Sequence, residues 1–174
     1  MNRPIIKIPV KYGAVASLLL LALFIILFYS GKHPLGIPIV LDIRIVILPL
    51  FMFLATKEFK DRHNEGTLHF WQGLTINTII GLTIALLMAV SIMLFIAVDP
   101  DFFNQFLTHA MEFAESRKEL VHDESELLII QEQIDNLPFT RPYYLAIDYF
   151  LKTLPFTLVW SLIISILLRK QPNL

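Results

Sequence analysis

Residues 72–98 read QGLTINTIIGLTIALLMAVSIMLFIAV, a run of 27 residues without a charge. As a helix rising 1.5 Å per residue it is long enough to cross a hydrocarbon core of ~30 Å with some tilt. Gly73, Asn77, Gly81, Ala85 and Ala89 recur every four residues and so share one face. A small-xxx-small stripe holding one polar residue lets helix backbones approach closely in lipid, where apolar side chains alone give helices no reason to associate. The reading is a central membrane-crossing helix with a built-in packing seam.

Composition agrees with that reading. Of the 174 residues, 56% are hydrophobic and 17% charged, with a mean hydropathy of +0.66. Such values fit several apolar spans and do not fit an ordinary soluble domain. The net charge of −1 gives no case for nucleic-acid binding. The chain has no cysteine, so disulfides, thiol chemistry and cysteine-based metal centres are excluded.

Working outward, four spans are expected, at about 12–29, 37–56, 72–98 and 143–168. The basic start with Arg3, Lys7 and Lys11 resembles a secretory signal, but the apolar run is long and Phe28 occupies a position where cleavage wants a small residue, so an uncleaved span is expected. The second span is the least pure and contains Asp42, Arg44 and Pro49. Trp71 stands at the entry to the third, as an interfacial anchor would. Residues 99–142 hold two amphipathic segments with cap signals at Asp99 and Asp123. Between Asp99 and Arg141 there are ten acids and three bases, which reads as a helical hairpin outside the bilayer. The fold class is therefore all-α, a four-helix membrane bundle with an extramembrane hairpin between spans three and four, in a single domain over 1–174.

The fourth span carries its own four-residue stripe, Thr153, Thr157, Ser161 and Ser165, the natural partner for the stripe of span three. Eight of the fourteen basic residues fall in the N-terminal segment, the 57–71 loop and the C-terminal tail. By the positive-inside rule this puts both termini in the cytoplasm and the hairpin outside.

The entry Lys11-Tyr12-Gly13, the run Phe70-Trp71-Gln72-Gly73, the exit Val98-Asp99-Pro100-Asp101-Phe102 and the basic end of the last span resemble, in order and spacing, the bacterial family called domain of unknown function 4199. The resemblance covers nearly the whole chain. It implies four spans in a bacterial inner membrane with a periplasmic hairpin, and it brings no activity, cofactor or catalytic residue.

Candidate sites remain few. Asp42, Arg44, Asp148 and Lys152 form a candidate intramembrane charge network near the outer face, and Asn77 is either glue between helices or part of a polar path. No nucleophile elbow, phosphate loop, dinucleotide fingerprint or HExxH spacing occurs, so no catalytic, cofactor or metal residues are expected. The expected role is that of a non-enzymatic accessory or scaffold protein, with an oligomeric small-solute or ion transporter as the rival. Expected partners are the lipid bilayer and, through the 99–142 hairpin, a second copy or another envelope protein.

Overall fold

The structure is a computed structural model describing residues 4–31, 33–35 and 44–170, with Arg44 described by its backbone alone. Among these residues there are six α-helices and no strand: α1 (Pro4–Tyr29), α2 (Arg44–His63), α3 (Phe70–Val98), α4 (Asp101–Leu120), α5 (Glu124–Asn136) and α6 (Pro142–Leu168). A 3-10 turn, Leu137–Phe139, links α5 to α6.

Three of the helices, α1, α3 and α6, are long and apolar enough to cross a membrane. Their outer surfaces are largely apolar, apart from charges near one end of α1 and α6. Their outward faces carry Leu18, Ile26, Leu86, Leu94, Leu158, Ile166 and Leu167, all exposed. A soluble protein of this size rarely presents so continuous an apolar surface, whereas lipid tails solvate it well. Pro9, Pro49 and Pro155 lie inside helices that continue through them. Each removes one backbone hydrogen bond, a loss that neighbouring helices offset more readily in a bundle of this kind than in an isolated helix.

Directions follow from the contacts. Gly13 of α1 lies against Ile80 and Thr83 of α3, and farther along both helices Phe24 and Phe28 pack on Phe95. The two helices therefore run parallel. The chain must return along the bundle between them, and α2 makes that return: Tyr12 of α1 donates to Glu58 Oε2 at 2.5 Å, and Thr56 reaches Asn77 of α3. Ile47, Leu48, Met52 and Ala55 of α2 join the core with Ala16, Leu20, Ile76, Ile80, Ile84 and Met88.

Helix α6 is antiparallel to α3. Leu68 and Lys170 form an isolated antiparallel bridge at one end, with N···O distances of 2.8 and 3.1 Å. Farther along, Gly73 faces Ser165 and Gly81 faces Thr157, so each step up α3 is matched by an equal step down α6. A Cβ on Gly73 would sit 3.0 Å from Ser165 Oγ, and one on Gly81 would overlap the Thr157 side chain. The glycines are there because backbone and side chain occupy the same space.

Local endings differ from the sequence expectation in small ways. Among the described residues α1 begins at Pro4, eight residues before the expected span, and it continues through Pro9. Asp99 closes α3, its N–H donating to Phe95 O, and α4 is capped by Pro100 rather than Asp99. Asp123 does cap α5, accepting from Ser125 N at 3.1 Å. Asp42 lies outside the described residues.

The close approach at Gly81 makes a sharp expectation. Gly81→Ala should lower stability by about 1–3 kcal/mol through overpacking. Adding Thr157→Ala, which removes the two atoms beyond Cβ, should recover part of the loss; reversible unfolding of the detergent-solubilised protein measures both. Additive losses in the double variant would mean that the two residues do not share that space.

Candidate functional site

The polar atoms of the bundle interior gather on the α3–α6 seam and its contact with α2. Asn77 is fully buried. Thr56 Oγ1 donates to its Oδ1 at 2.8 Å, and its Nδ2 donates to Ser165 Oγ at 3.4 Å. Ser165 Oγ in turn donates to the Ser161 carbonyl at 2.5 Å. Three helices are thus joined through one amide. The hydroxyls of Thr153 and Thr157 turn back to their own helix, donating to the carbonyls of Tyr149 and Thr153 at 2.8 and 2.9 Å. The antiparallel register sets Ser161 opposite Asn77. Its hydroxyl is buried without a hydrogen-bond partner, at a cost of about 1–3 kcal/mol for an unsatisfied polar group. Ala85 is buried and Ala89 half-buried on the same face of α3, toward the other end of the seam.

Of the candidate charge network, the structure describes one pair. Asp148 Oδ2 and Lys152 Nζ are 2.6 Å apart, one turn from each other on α6, and both side chains are 57% exposed. They face outward from the bundle. An exposed pair at this spacing contributes about 0.3–0.5 kcal/mol. Asp42 is outside the described residues and the side chain of Arg44 is not described.

Two buried polar groups, Thr56 and His33, were not singled out from the sequence. His33, in the turn after α1, is 7% exposed and packs against Phe102, ring centroids 4.5 Å apart and planes tilted by 32°. Phe28, Phe106 and His109 surround it. Its Nε2 lies 3.2 Å from the Phe102 carbonyl, and Leu35 N–H donates to its Nδ1 at 3.3 Å. Both contacts need the neutral ring carrying its proton on Nε2. Burial holds the His33 pKa down to about 4, with the neighbouring His109 adding to the effect and the Phe102 carbonyl opposing it. The imidazole ties the α1–α2 turn to the start of α4. A histidine between Gly31 and Pro34 gave no periodic signal that could have marked it.

Among the described residues no three acidic or histidine side chains cluster as metal ligands would. His69 has a structural part: Gln72 Oε1 accepts from its backbone N–H at 3.0 Å, closing the first turn of α3. Nearby Trp71 is 71% exposed at that end of the helix, where an interfacial anchor would stand.

The described residues form an all-helical structure with three membrane-length apolar helices, a packed polar seam between two of them, and an amphipathic appendage. The chain belongs to the DUF4199 family of proteins of unknown function, whose family model matches residues 11–170. No curated protein and no solved structure matches it.

Two outcomes follow. A double-mutant cycle on Thr56→Ala and Asn77→Ala should give a coupling of about 0.6 kcal/mol, and no more than roughly 1.7, the range for polar contacts between membrane helices; zero coupling would place Asn77 outside the folding energetics. The second concerns pH. Because the folded His33 pKa is depressed, the unfolded chain binds more protons between about pH 6.5 and 4. Stability contributed by the neutral ring is full above that window and declines as pH falls through it. His33→Gln should flatten the decline of the thermal midpoint over this range; an unchanged slope would assign the pH dependence elsewhere.

Proposed function

We propose that this chain is a four-span protein of the bacterial inner membrane, with both termini in the cytoplasm and the α4–α5 hairpin in the periplasm, acting as a non-enzymatic accessory or scaffold protein. The parallel course of α1 and α3 supports the fourth span, since the chain must travel the length of the bundle between them and α2 is the segment that does so. Val46, Leu50 and Leu54, exposed at four-residue intervals on α2, give it an apolar outer face as a span requires. The basic residues at Arg3, Lys7, Lys11, Lys57, Lys60, Arg62, Arg169 and Lys170 support the orientation.

The observation that carries the accessory reading is how the interior polar groups are used. Asn77 is spent on Thr56 and Ser165, and Gly81 lies in contact with Thr157. These groups hold helices together instead of lining a passage. What the protein leaves unspent is the apolar surface of the hairpin, where Phe113, Leu120, Leu128, Ile129 and Phe139 are all exposed. The rival reading, an oligomeric small-solute or ion transporter, draws on the Asp148–Lys152 pair, which faces outward where a second copy could pack.

Because the chain has no cysteine, single cysteines report topology cleanly. Ser30→Cys and Ser125→Cys should react with an impermeant maleimide in intact cells, and His63→Cys only after lysis. Ser30 and His63 on the same side would remove α2 as a span. For the role itself, sizing after gentle detergent extraction should give a discrete complex with a different protein that persists in Asp148→Asn. A homo-oligomer whose solute flux is lost in Asp148→Asn would establish the transporter instead.

A further inference from the structure

The register of the seam fixes a depth for the Asp148–Lys152 pair. Gly73 faces Ser165 and Gly81 faces Thr157, so Asp148 lies level with Val90 of α3 and Lys152 level with Leu86. Both levels fall inside the uncharged run 72–98, about 12 and 18 Å from its Val98 end. The pair therefore stands within the apolar zone while facing away from the bundle, each side chain 57% exposed. Ionised residues in membrane spans almost always face a bundle interior or a water-filled cavity and find partners there. Asp148 Oδ2 and Lys152 Nζ neutralise each other at 2.6 Å. A carboxylate and an ammonium still offer more hydrogen-bonding positions than one contact uses, and lipid tails fill none of them. We propose that a second copy of this chain covers the pair, through a two-fold contact of α6 with α6 in which Asp148 of each copy meets Lys152 of the other.

Two observations select that occupant. The patch holds one acid and one base a turn apart, so a two-fold rotation sets acid against base twice and brings no net charge together. An anionic lipid headgroup would meet Lys152 only beside the like charge of Asp148. The second observation is spacing. The exposed residues Asp148, Lys152, Pro155, Val159, Leu162 and Ile166 follow one another at intervals of four and three, as residues on the seam between two helices do. Below the charged pair this seam is wholly apolar, so a copy seated on the charges packs on along the helix. The proposal rests on α6 crossing the membrane, and it holds for an accessory protein and for a transporter alike.

Cysteines placed in the cysteine-free, full-length chain test the contact in native membranes. Val159 lies on the seam, seven residues from Lys152, and its neighbour Leu158 is turned about 100° round the helix. The two are 55% and 57% exposed, so exposure does not separate them. Oxidation should link two copies through Val159→Cys about tenfold faster than through Leu158→Cys, because a disulfide needs its two Cβ atoms about 4 Å apart. Asp148→Lys and Lys152→Asp, each added to Val159→Cys, set like charges together and should each lower self-linking by about tenfold or more. Expressed together with different tags, the two variants should link to each other at close to the parent rate. Neither of them retains a pair within its own helix, so that mixed link reports pairing between copies.

Equal linking through Val159→Cys and Leu158→Cys, or a mixed link no stronger than either variant's own, overturns the proposal. Reaction of Val159→Cys with an impermeant maleimide in intact cells would put this face of α6 in water, removing the spanning reading together with the proposal. A Val159→Cys chain that stays unlabelled and unlinked leaves the face to lipid or to a different protein and removes the proposal alone.

Discussion

The contact on which the rest of the structure depends is the close approach of α3 to α6. Two apolar helices surrounded by lipid gain nothing from hiding leucine, because lipid tails are as apolar as leucine itself. What holds them is packing at short range together with polar groups that have no better partner. Gly73 against Ser165 and Gly81 against Thr157 supply the first. Asn77, shared between Thr56 and Ser165, supplies the second and extends it to α2. The Leu68–Lys170 bridge closes one end of the seam with two backbone hydrogen bonds. The partnerless Ser161 hydroxyl is a cost borne within the same seam. Smallness matters most at Gly81, where a side chain would take the space of the Thr157 side chain; at Gly73 the Ser165 side chain would have to give by only a few tenths of an ångström.

At the far end of the bundle the means are different. Phe24, Phe28 and Phe95 surround the fully buried Phe102, ring centroids 5.2–5.3 Å apart, and His33 covers that ring from the α1–α2 turn. Aromatic packing with one neutral imidazole joins α1, α3 and the first turn of α4. This cluster sets where the hairpin leaves the bundle. Beyond it, α4 and α5 bury only Phe102, Ala114 and Ile130, so the hairpin has little core of its own.

Much of this was legible before any coordinates. The uncharged length of 72–98, the period-four stripes on two segments and the shift to acidic, amphipathic sequence after Asp99 each have a direct physical reading. Register was not legible: a repeat of four fits several alignments of α3 on α6, and only the contacts choose among them. Thr56 as the partner of Asn77 was hidden because a lone threonine at the end of the expected span carries no pattern, whereas α2 continues to His63. His33 was hidden for the same reason, since a residue in a turn has no face. The spacing of Asp148 and Lys152 puts them one turn apart on a helix, yet sequence does not say that the pair points outward. The start of α1 was placed late because hydropathy marks where a span becomes apolar, and a helix begins where its backbone can.

The most direct test of the seam is disulfide formation between cysteines introduced into the cysteine-free chain. Gly73→Cys with Ser165→Cys brings together positions where an ideal Cβ at residue 73 would lie 3.1 Å from the Cβ of residue 165, within reach of a disulfide after a small adjustment. Gly73→Cys with Ser161→Cys moves the second thiol one turn away along the same face. Oxidation in native membranes should link the first pair quickly and leave the second largely unlinked. Equal linkage of both pairs, or linkage of the second alone, would contradict the register and with it the account of what holds the bundle together.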